Sequence, residues 1–262
     1  MFKKFFLSVW DSRRLITTWT RYNIQANYLD TKLGMVWLIL QPLLMTLIYS
    51  LVFSLVVNRA PRGGVPFVNF FLSGMILWIS FNNTILKSAT LIAQKVNLMG
   101  QIKFPREALV FVLFNEKLVD FLISLGILFF LNLFYGYYPN ITYIYIPVIF
   151  IIFFSFELGL MFVIATLGLF IRDIPQIVSL ILRLLFYISG IIFPASILPP
   201  QAVKILLFNP IFFLAESFRN VLFYAEAPDL LSLTGWLVLG IVLLLVGFVF
   251  FQNKSDVFAD YK

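Results

Sequence analysis

Six apolar runs divide this chain, at about 33–57, 67–86, 108–134, 143–170, 177–193 and 230–251, and each is long enough to cross a bilayer. Hydrocarbon offers no water to pair backbone N–H and C=O groups, so each run must close its hydrogen bonds within a helix. The fold class that follows is an all-α polytopic membrane protein with six transmembrane helices. Only 12% of residues are charged, about half the share of a soluble domain. The net charge of +7 sits mostly between the runs. It reads as membrane topology, and nucleic acid is not an expected partner.

Several chemistries are excluded at once. The chain has neither cysteine nor histidine, so it offers no disulfide, thiolate nucleophile, Cys/His metal site or histidine proton shuttle. No G-x-x-x-x-G-K-[ST] phosphate cradle occurs. Energy for any work must come from a gradient or from another subunit.

Residues 1–32 do not read as a cleavable signal peptide, because Asp11, Arg13 and Arg14 interrupt an apolar core. Phe2, Phe5, Phe6, Val9, Ile16 and Trp19 fall near one helical face opposite Lys3, Lys4, Asp11 and Arg13. An amphipathic helix in the cytoplasmic interface is expected, with Trp10, Trp19, Tyr22 and Tyr28 at headgroup depth. The first run contains Gln41-Pro42, a kink signal. With both termini inside, cytoplasmic segments carry thirteen Lys/Arg, against Arg59, Arg62, Lys204 and Arg219 in the outer loops. The positive-inside rule favours that orientation. The whole of 1–262 reads as one domain: an interface helix at 1–32, a bundle at 33–251 and a cytoplasmic tail at 252–262.

Between the second and third runs lies 87–107, KSATLIAQKVNLMGQIKFPRE, with four Lys/Arg and one acid. Leu91, Ile92, Lys95, Val96, Met99 and Ile102 recur at three- and four-residue steps. A short amphipathic helix is expected, ended before Phe104-Pro105 because the residue preceding proline avoids the helical region. It could take a push from a soluble partner, or be an ordinary interfacial loop.

Glu116, Lys117, Asp120, Glu157 and Arg183 lie inside apolar runs, where a lone charge costs about 3 kcal/mol on insertion scales. They serve either as an ion relay or as interhelical clamps, and the clamp reading is favoured because no chain of partners is evident. Arg183, Tyr187 and Gly190 share a face of the fifth run, a polar stripe pointing into the protein. Trp37, Tyr49 and Phe53 in the first run offer ring faces on which sugars can stack.

Residues 194–228 read as an outer gate that enters the membrane without crossing it. Pro199 and Pro200 open a helix and Asn209-Pro210 breaks it. Pieces at 200–208 and 210–223 would be about 13 and 20 Å long at 1.5 Å per residue, too short for a hydrocarbon core of about 30 Å. Phe212 and Phe213 are too apolar for a solvated loop. A re-entrant helical pair satisfies both facts; the alternative is a hairpin lying flat on the membrane.

Three motifs together resemble the permease subunit of ABC-2 type exporters, especially those moving O-antigen or teichoic-acid polysaccharide. They are 28–42, YLDTKLGMVWLILQP; Phe104-Pro105-Arg106-Glu107 with Val119-Asp120-Phe121; and Ile171-Arg172-Asp173-Ile174 opening the fifth run. The resemblance implies a homodimer joined to two copies of a separate ATPase, which binds the ATP and Mg that this chain does not hold. It also implies a lipid-linked glycan as substrate, in the bacterial cytoplasmic (inner) membrane. Lys95, Val96, Met99, Ile102, Phe104, Pro105, Arg106 and Glu107 would then form the ATPase-coupling segment. Trp37, Gln41, Tyr49, Phe53, Arg183 and Tyr187 would line the substrate path, although Arg183 matches no family pattern. An ABC-2 permease for a drug or lipid, and an ion-gradient-driven carrier, are the alternatives.

Overall fold

The computed structural model of the protein describes residues 2–26, 32–56, 62–102 and 104–258, except the helix side chains of 2–9, 38, 46, 49, 50 and 53–56. Described residues form nine α-helices: α1 Phe2–Ala26, α2 Trp37–Val56, α3 Phe67–Gln101, α4 Ala108–Phe134, α5 Ile146–Phe170, α6 Ile174–Ile188, α7 Pro200–Leu206, α8 Pro210–Arg219 and α9 Leu230–Ser255. Three stretches are long and apolar enough to cross a membrane: Ala108–Phe134, Ile141–Phe170 and Leu230–Ser255. The pair α7 and α8 bends by 111° and would make a fourth if read as one broken span.

The core is centred on α5, packed between α3 and α9. Helices in lipid gain little from apolar burial against one another, so their association depends on close approach. Gly159 provides it, since a Cβ there would stand 2.8 Å from the Leu243 carbonyl carbon of α9. Around this crossing Phe162 meets Phe248 and Phe251 edge to face, with centroids 5.4 and 5.3 Å away. Hydrogen bonds tie the helices inside the bundle. Asn69 donates to Asn132 at 2.8 Å between α3 and α4, and Ser80 donates to Glu157 at 3.2 Å between α3 and α5.

Two expected elements differ. The second run and the amphipathic segment are one 35-residue helix, α3, about 52 Å long. Nothing at 86–88 breaks it, and the chain turns extended only at Ile102. The helix beyond Leu86 therefore continues the axis of the apolar run and does not turn away as a separate element. The fifth run is shorter than expected: α6 has 15 residues, about 22 Å. It stops because Gly190 takes a left-handed φ of +61°, where a Cβ would lie 2.6 Å from the Phe212 ring.

Candidate functional site

Three regions gather the polar and strained features of the chain. The first is the bent pair. Pro199 caps α7, Pro200 opens it, and Pro210 opens α8 behind Asn209. Asn209 accepts from Ile211 N and donates to Ile188 O and Ser189 Oγ at 3.1 Å each, so the break is fastened to the end of α6. Phe212 and Phe213 are buried, while Lys204 on α7 is exposed.

Arg219 at the end of α8 holds this region together. It is 0% exposed and donates to Gly190 O at 2.7 Å, Ile191 O at 3.1 Å, Phe70 O at 3.3 Å and Ser73 Oγ at 3.4 Å. Glu216 supplies its counter-charge at 2.6 Å, and the guanidinium stands 3.7 Å from the Phe70 ring centroid. Gly74 leaves the room, because a Cβ there would collide with Arg219 Nη2. The charge count placed Arg219 in an outer loop; it is instead the largest fully buried side chain. Its sequence signal was Glu216 one turn earlier, a spacing that pairs charges on a helix.

The second region is the far end of the α3–α4 hairpin. The 104–107 turn is bracketed by α1, with Trp19 and Phe104 edge to face at 5.6 Å. Glu107 is buried, Phe104 and Arg106 are half-buried, and Pro105 is exposed. The apolar face of the segment expected to couple to an ATPase is covered: Ile92, Val96 and Met99 belong to the core. Lys95 is half-buried, and Ile102 is 56% exposed. The face left open carries Gln94, Asn97 and Gln101. Lys103 lies outside the described residues.

The third region is a cavity of about 380 Å³ between α2, α3 and α4, lined among others by Trp37, Gln41, Asn83, Lys87, Lys117 and Asp120. Lys117 pairs with Asp120 at 2.5 Å. Glu116 turns away from them and accepts from Asn23 of α1 at 2.6 Å. The three charges grouped in the fourth helix thus serve two neighbours, α1 and the cavity. Tyr49 and Phe53 lie on α2, but their side chains are outside those described.

Arg183 and Tyr187 do not join Trp37 and Gln41, and they do not point into the protein. α6 buries only Val178 and Leu182 along its length, leaving Tyr187 64% exposed. Arg183 borders a shallow pocket with Gln176 and Ser179. The face of α3 toward α2 carries Ile76, Ile79 and Asn83. Its contact with α6 uses Trp78, which meets Phe186 at 5.3 Å, and Gly74 stands beside Ile191, just past the end of α6. At about 100° per residue those two sets are on opposite sides of the helix.

The family model described as ABC-2 type transporter matches residues 14–223. The O-antigen export system permease protein RfbA of Myxococcus xanthus is 27% identical over 251 residues, 95% of both chains. A permease of the same name from Klebsiella pneumoniae is 26% identical over 252 residues, 94% of both chains. The polysialic acid transport protein KpsM of Escherichia coli is 23% identical over 239 residues, 89% of this chain and 90% of that one.

Proposed function

The chain belongs to the ABC-2 type transporter family, and we propose that it is the membrane subunit of an ATP-driven exporter of a lipid-linked polysaccharide. The full-length likeness to O-antigen and polysialic acid export proteins carries this reading. Two copies of the chain join two copies of a separate ATPase, which binds ATP and Mg. The protein sits in the bacterial cytoplasmic membrane as six crossings with both termini inside. In that arrangement α3 reaches the cytoplasm with its last turns, and α7 and α8 dip into the outer leaflet and return.

The path lies between protomers. The support is the placement of α2 and α6 on opposite sides of α3, so that Trp37 and Gln41 cannot face Arg183 and Tyr187 within one chain. A second copy could set α2 of one protomer against α6 of the other. Exposed Tyr187 and Arg183 would then meet a hydrated glycan, which is too bulky for a filled core.

Energy source is tested in inverted vesicles holding the permease and its ATPase. Export is expected to require ATP and to survive an uncoupler. Glu157→Gln, which keeps an acceptor for Ser80, should retain most export, because Glu157 serves as a clamp. Transport that continues without ATP and collapses with the uncoupler would show an ion-driven carrier instead.

Cysteine labelling tests the outer gate and the path in this cysteine-free chain. A cysteine at Lys204 should react readily from outside, and one at Tyr187 should react with a water-borne probe. Cysteines at Phe212 and Phe213 should react slowly at rest and faster during ATP turnover, because both rings are buried. Labelling of Lys204→Cys from the cytoplasmic side alone would overturn the topology, and lipid-only access at Tyr187→Cys would remove α6 from the path.

A further inference from the structure

The cavity between α2, α3 and α4 has an excess of positive charge at a depth where lipid headgroups lie. Lys87 and Lys117 both line it, and Asp120 is the one acid among its lining residues. Asp120 is committed to Lys117. Lys87 forms no ion pair among the described residues; Lys117 repels its charge, while Glu116 and Asp120 attract it. The lining residues themselves carry a net charge of +1, and Glu116 stands outside the lining, toward α1. Around the ammonium groups stand Trp37, Gln41, Asn83 and Ser124, all able to donate hydrogen bonds. Asn83 accepts from Asn82 at 3.4 Å, and its own amide N–H groups have no partner among the described residues.

Depth follows from the neighbours. Lys87 is the first residue after the apolar run of α3, and Lys117 follows Glu116, where the amphipathic helix α1 is anchored through Asn23. Two ammonium groups facing one cavity with a single acid in its lining attract an anion, and lysine binds phosphate as a point charge. Basic pockets between membrane helices on the cytoplasmic side suit anionic headgroups. A volume of about 380 Å³ lies within the range of small-ligand sites.

We propose that this cavity holds the phosphate ester of an inner-leaflet lipid headgroup, gripped by Lys87 and Lys117. The site lies within one protomer and shares Trp37 and Gln41 of α2 with the proposed path. It uses the orientation proposed above and nothing else of that reading. Binding is measured without ATP or transport, so a failed export assay leaves it standing.

The test is native mass spectrometry of the full-length chain, delipidated in neutral detergent and titrated with phosphatidylglycerol, undecaprenyl phosphate or inorganic phosphate. Binding of one or both lipids at one site per chain is expected, and the preferred lipid identifies the source. Lys87→Gln should weaken it at least tenfold, whereas Asp120→Asn, which raises the lining charge, should strengthen it. Opposite signs are the signature of charge recognition, because a structural defect would weaken binding in both variants. Lys87 makes no ion pair among the described residues, so Lys87→Gln should stay folded, and its melting curve is recorded beside the binding; Lys204→Gln, on α7, should change nothing. Equal affinity in wild type and Lys87→Gln, weakening in both variants, or binding of inorganic phosphate alone would overturn the proposal.

Discussion

Arg219→Met should leave little folded protein to purify from the membrane. The substitution keeps most of the aliphatic volume but removes every donor from a side chain with 0% exposure. Gly190 O and Ile191 O would each be left in an apolar site without their guanidinium donor, at about 1–3 kcal/mol apiece. Glu216 would lose its counter-charge, and breaking a buried pair costs about 3–5 kcal/mol. Glu216 is only partly buried, so water would recover some of that sum. The total still rivals the roughly 5–15 kcal/mol that holds a domain together. Arg219→Lys should rescue poorly, because three donors on a flexible stem cannot replace a planar fork serving five acceptors. Gly74→Val attacks the same site by crowding Arg219 Nη2 and should fail similarly. Thermal melting monitored by size-exclusion chromatography reads all three. A midpoint for Arg219→Met within about 2 °C of wild type would show that the buried network contributes little.

The third apolar run, 108–134, coincides with α4, and the proline signals at 199–200 and 209–210 mark the starts of α7 and α8. Such features are local: apolar length and proline stereochemistry act on their own neighbours. Features that depend on contacts distant in sequence were not legible in this way. Arg219 reads as a loop cation until Gly74 and the end of α6 are brought beside it. The 91–102 periodicity correctly shows an amphipathic helix, but periodicity cannot say what covers its apolar face. The Asn23–Glu116 contact and the cavity joining Lys87 to Lys117 have no signature in either segment alone. The residues expected to line the path divide for the same reason, since α2 and α6 are far apart in sequence and lie on opposite sides of α3.

The coverage of that apolar face changes what mutation of the far end of α3 should do. If the face were free for a partner, aspartate at Val96, Met99 and Ile102 would uncouple transport and leave the permease folded. Val96 and Met99 are instead core residues, 8% and 7% exposed. A carboxylate at Met99 would lose its hydration or force the end of α3 away from the bundle, and either costs several kcal/mol. Met99→Asp should therefore lower the yield of folded protein severalfold, before any question of coupling arises. Ile102 differs because it is 56% exposed where α3 has already turned extended. Ile102→Asp should melt like wild type, yet reduce ATPase co-purification and ATP-driven export by about tenfold if this tip is the docking point, which is about 1.4 kcal/mol. Gln94, Asn97 and Gln101 form the exposed side of the same tip. Pulldown of the ATPase beside a melting curve separates the two outcomes. A well-folded Met99→Asp would mean that the apolar face is not packed as described. An Ile102→Asp permease that holds its ATPase and exports normally would move the docking surface away from this hairpin, to the other exposed turns on the same side of the membrane.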